Sequence, residues 1–141
     1  MPDQAVRPIR PIISLILPAL LLLGLELLGI WRENLSHPFW SLSSVIQGVL
    51  AGGLLAIVWL RFQAKPLRVS TTQLTILTVL LLAAGTVTLW GKSGFAASFA
   101  EDKFAGRMWF LGFKATMFMA YLWLFAFGLR MGRSTDQDSQ V

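Results

Sequence analysis

Apolar residues in this chain gather in four long blocks, about Ile12–Trp31, Ser41–Phe62, Thr72–Trp90 and Met108–Met131, instead of alternating with polar ones. A helix rises 1.5 Å per residue, so about 20 apolar residues cross a bilayer core of roughly 30 Å. Each block meets that length. The pattern predicts an all-α integral membrane protein, an antiparallel four-helix transmembrane bundle with its first and fourth helices adjacent. Residues 12–131 then form the transmembrane domain, 1–11 a cytoplasmic N-terminal segment and 132–141 a polar, disordered cytoplasmic tail.

The two connections on the outer side differ. "RENLSHPFW" is short, with Pro38 directly after His37. "GKSGFAASFAEDKFAGRMWF" is long and sets Phe95, Phe99 and Phe104 among small residues. Ser98 followed three positions later by Glu101 fits a capping box, which predicts a short interfacial segment between helices three and four. Trp31, Trp40, Trp90 and Trp109 all fall near the outer boundary, as in an aromatic belt.

Charge adds orientation. Only 13% of the 141 residues are charged, about half the share in soluble domains. The net charge of +5 comes from bases at helix ends, which points to membrane topology and away from nucleic acid. With the N-terminus inside, Arg7, Arg10, Arg61, Lys65, Arg68, Arg130 and Arg133 lie inside, and Arg32, Lys92, Lys103 and Arg107 outside. The excess predicts N-in and C-in, in a cell membrane of the bacterial inner-membrane type.

Two ionisable residues interrupt the apolar blocks. Glu26 precedes Trp31 by five residues and Lys114 follows Met108 by six, so both lie about 7–9 Å below the outer boundary. Glu33 and Arg107 sit seven residues further out on the same two helices, nearly two turns, and share their faces. This predicts a ladder of Glu26 with Lys114 and, at the surface, Glu33 with Arg107. Gln47 and Thr86, beside Thr88, lie at similar depth and would complete an intramembrane polar layer. Such a layer either locks the helices in register or carries a proton, an ion or a lipid headgroup.

Small residues at four-residue spacing mark close helix packing. Gly48, Gly52 and Ala56 form one such set, and Gly112, Thr116 and Ala120 another. Cysteine is absent and His37 is the only histidine. There is no P-loop, GxSxG or HExxH pattern. No catalytic, cofactor-binding or metal-ligating residue is predicted, no cofactor is called for, and the chain does not read as an enzyme.

The stretch "HPFWSLSSVIQGVLAGGLLAIVWLRFQA" resembles locally the loop and second helix of ATP synthase protein I, a small membrane protein associated with rotor-ring assembly. The likeness rests on "PFW", a following Ser, a Gly and a terminal basic residue. The acidic–aromatic–Lys motif of that family's third helix is missing from "TTQLTILTVLLLAAGTVTLW". Small multidrug exporters are also four-helix chains with a glutamate on the first helix, but here Glu26 is off-centre and matched by a lysine. The expected function is that of a non-enzymatic accessory or assembly subunit of a larger membrane complex. The expected partners are the lipid bilayer and a membrane protein or a second copy of the chain. The alternative is a small oligomeric transporter or channel that uses the Glu–Lys layer.

Overall fold

The computed structural model describes the backbone of residues 9–62 and 69–138, with side chains over 11–62 and 69–131. Five helices follow in order: α1 (Ile9–Leu27), α2 (Ile30–Asn34), α3 (Ser41–Phe62), α4 (Thr71–Ala97) and α5 (Lys103–Asp138). No strand occurs among the described residues. Three of the helices are long and apolar enough to cross a membrane: α3, α4 and α5 as far as Met131. Most of the expected N-terminal segment, the inner loop over 63–68 and the last three residues lie outside the described residues. The helical backbone of α5 reaches Asp138 and so takes in most of the segment expected to be a disordered tail.

The first apolar block is not one continuous helix. Its helix stops at Leu27, and Gly29 adopts φ +78°, the left-handed conformation that closes helices and that only glycine takes without cost. Leu28 and Gly29 donate to the carbonyls of Gly24 and Glu26 at 3.0 and 2.9 Å, which satisfies two orphan acceptors of the last turn. The chain then re-forms a single short helix, α2. The apolar part of α1, Pro11–Leu27, is about 25 Å long, a little short of a full crossing.

The third block is longer than its apolar run. Ser70 caps α4 through a reciprocal pair of bonds with Gln73, and the helix continues past Trp90 to Ala97. The expected interfacial segment after it is absent. Ser98 is instead the last cap of α4, and its hydroxyl accepts from the Asp102 amide at 3.0 Å. Asp102 caps α5 by accepting from the amides of Phe104 and Ala105 at 2.9 and 3.0 Å. Asp102 takes the capping role expected of the Ser98–Glu101 pair because its carboxylate meets both free amides and the positive end of a long helix. The chain reverses within five residues. Phe99 and Ala100 adopt φ 55° and 68° to do so, a conformation that strains residues with a Cβ.

Helix α5 is the hub. Helices α1, α3 and α4 each pack against it, and α1 also packs against α3. Contacts therefore radiate from α5 and do not close a ring of four neighbours. The first and last long helices touch, as expected: Tyr121 donates its hydroxyl proton to the Leu15 carbonyl at 2.7 Å. A core of Leu22, Val45, Phe113, Met117, Leu122 and Phe125 fills the space between α1, α3 and α5.

Two seams hold the hub to its neighbours. Gly48 and Gly52 of α3 face Met117 and Tyr121, where an added Cβ would lie 2.6 and 2.7 Å from side-chain carbons. Ala56 is fully buried on the same face of α3. On the other side Gly91 of α4 meets the backbone of Ala105 and Trp109, and Gly112 of α5 meets that of Thr88. Where lipid removes most of the hydrophobic drive between helices, such backbone approach is what dispersion and polar contacts act on.

Candidate functional site

Most of the buried polar side chains, Glu26, Ser36, Ser41 and Ser44 among them, lie at one end of the molecule, where the end of α1, α2 and the start of α3 meet. Glu26 is the centre of this region. It occupies the last turn of α1, 1% exposed, and the negative end of the helix dipole disfavours a carboxylate there. Partners must therefore offset its burial. Ser41, the first residue of α3, donates its hydroxyl to Oε2. Arg32 of α2 brings a guanidinium nitrogen to 3.8 Å from Oε1. One carboxylate thus ties together the end of α1, the helical turn after it and the beginning of α3. Two buried side-chain oxygens, Glu26 Oε1 and Ser44 Oγ, make no hydrogen bond among the described residues.

The expected ladder is not assembled. Arg32–Glu26 is the one ion pair among the described residues. Lys114 is half-buried on α5, and its ammonium lies 4.0 Å from the centre of the Phe110 ring. Glu33 and Arg107 are both exposed and unpaired with each other. The Glu33 carboxylate sits beside Gly29. The physical reason is the break at Gly29. With α1 ended there, Arg32 of α2, six residues after Glu26, takes the carboxylate at short range. Gln47 is exposed on α3, and Thr86 is exposed and donates to the Leu82 carbonyl of its own helix at 2.9 Å. Neither joins Glu26. Thr88 instead faces α5, with its hydroxyl 3.0 Å from that of Thr116, and Ala120 packs against the core.

A second set of contacts clamps the loop between α2 and α3. Trp109 is buried, not part of a lipid-facing belt, and its indole donates to the Leu35 carbonyl at 2.8 Å. Lys92 of α4 donates to the Asn34 carbonyl, with its ammonium 5.9 Å from the Trp109 ring. These donors satisfy carbonyls that α2, too short to use them, leaves free. His37 stacks on Trp40 with ring centres 4.5 Å apart, and Trp40 meets Trp109 and Phe110 edge-on at 5.3 and 5.1 Å. His37 is thus an aromatic spacer.

Ser41, Arg32, Lys92 and Trp109 carry roles that the sequence pattern does not assign to them. One signal was present for the first: "WSLSSV" places Ser41 and Ser44 on one face of a helix that is otherwise apolar at that end. The other three had none, since bases and tryptophans at helix ends ordinarily mark the membrane boundary. No family model matches the chain, and neither the curated proteins nor the solved structures contain a match.

Proposed function

We propose that the chain is a multi-pass membrane protein with four embedded helices, N-in and C-in, that serves as a non-enzymatic accessory or assembly subunit of a larger complex in a bacterial-type inner membrane. The observation that carries this reading is the one-sided attachment of α4. It is held along α5 through the glycine seam, while Ile76, Val79, Leu82 and Leu89 remain exposed on its other faces. A helix anchored on one edge offers the rest of its length to a neighbouring subunit within the bilayer.

Purification of the tagged chain from native membranes in mild detergent, followed by protein mass spectrometry, tests the assignment. A heterologous membrane polypeptide at fixed stoichiometry is expected. A homo-oligomer with no such polypeptide would overturn the accessory role and favour the alternative, a small transporter or channel. One observation speaks for that alternative: Glu26 is a buried intramembrane carboxylate whose Oε1 has no hydrogen bond among the described residues. For orientation, a cysteine placed at Glu101 should react with an impermeant reagent outside intact cells. Reaction only after the membrane is opened would invert the topology.

A further inference from the structure

Lys103, Arg107, Phe110 and Lys114 follow one another on α5 at spacings of four, three and four residues, which puts them on a single face. Lys103, Arg107 and Phe110, with Gly106, form one wall of an open depression of about 320 Å³. Trp40, in the turn just before α3, and Phe95 from the end of α4 form the other. The Lys114 side chain brings its ammonium over Phe110, so a third cation reaches the wall of the same depression from within the apolar part of the helix. Long basic side chains in a span turn toward the headgroup level in this way.

None of the three cations has a carboxylate within ion-pair distance among the described residues. The nearest capping acid, Asp102, already spends an oxygen on the amides of Phe104 and Ala105. Lys103 and Arg107 also occupy the first two turns of α5, where the helix dipole is positive and a base is disfavoured. The corner thus carries three cations free of ion pairs against two acids at its edge, Glu101 and Asp102, and is aromatic in its walls and flanked by exposed apolar side chains such as Leu111.

We propose that this corner seats the phosphodiester headgroup of an anionic phospholipid. Arg107 and Lys103 meet the phosphate from the water side and Lys114 meets it from the apolar side. Trp40, Phe95 and Phe110 pack on the glycerol region, and the acyl chains lie on the apolar flank of α5. A lipid, unlike a soluble anion, supplies both the charge and the hydrocarbon that these walls fit. The assignment needs the membrane setting but not the accessory role, so it stands or falls independently of which complex the chain serves.

Native mass spectrometry of the full chain in mild detergent, titrated with phosphatidylglycerol or with phosphatidylcholine of the same acyl chains, provides the test. Phosphatidylglycerol should be held about tenfold more tightly, and Arg107→Gln and Lys114→Gln should each weaken it by about fivefold. Arg61→Gln, at the far end of α3, should leave it unchanged. Equal retention of the two lipids, or an equal loss in Arg61→Gln, would overturn the proposal. Displacement of the lipid by millimolar inorganic phosphate would overturn it too, by assigning the seat to a free anion. Melting temperatures without lipid check that each variant is folded. Arg107 is exposed, so its variant carries the test if Lys114→Gln does not fold.

Discussion

Gly91→Ala is expected to destabilise the protein by about 1–3 kcal/mol, the usual cost of forcing an extra methyl into a packed seam. The new Cβ would sit 2.8 Å from the Ala105 carbonyl oxygen and against the Trp109 backbone. Backbone cannot swing aside as a side chain does, so α4 and α5 must separate, and the Thr88–Thr116 contact and the Trp109 clamp on Leu35 loosen with them. Intrinsic helix propensity works the other way, favouring Ala over Gly by about 1 kcal/mol. Gly85→Ala isolates that opposing effect, because an added Cβ there meets nothing within 4 Å. Thermal unfolding in detergent should show a clear loss for Gly91→Ala and none for Gly85→Ala. Equal behaviour of the two would mean that the seam is not closely packed.

The second large effect centres on Glu26. Ser41→Ala removes the hydroxyl that bonds a carboxylate with 1% exposure, and a lost hydrogen bond to a charged group costs about 1.5–3 kcal/mol. Glu26→Ala removes the charge as well, so Ser41→Ala added to it should cost little more. A double-mutant cycle on Glu26 and Ser41 should therefore show strong coupling. The same cycle on Glu26 and Lys114, with Lys114→Met, should be additive to within about 0.5 kcal/mol. Coupling between Glu26 and Lys114 comparable to that with Ser41 would restore the ladder that depth alone suggests. Arg32→Gln is expected to matter less than Ser41→Ala, since its guanidinium is half in water and screened.

These two experiments divide along the line between what one dimension and what three dimensions decide. Block length is a one-dimensional property. It marked α3 at Ser41–Phe62, the same residues that the structure makes helical, and it marked the cores of α4 and α5. It also marked the small-residue faces, because spacing of four on a helix is a statement about a single face. Gly48, Gly52 and Ala56 lie on such a face against α5, and Gly112 and Thr116 on another against α4.

Other features depended on packing. The ends of α4 and α5 run beyond their apolar blocks because Gly91, Gly94 and Gly106 let the two helices stay in contact past Trp90, and that contact offsets the polarity of the added turns. The partner of Glu26 was not legible for a geometric reason. Counting residues from a boundary yields depth, whereas pairing also requires the direction in which a side chain points around its helix. A single glycine at positive φ, Gly29, ended α1 early and set that direction. It brought Arg32 and Ser41 to the carboxylate and left Lys114 facing Phe110. The sequence by itself determined the apolar cores of the long helices and the small-residue faces around Gly48, Gly52 and Gly112, because those depend on composition and period. The tertiary structure alone decided which charges meet, because that depends on how one helix is rotated against the next.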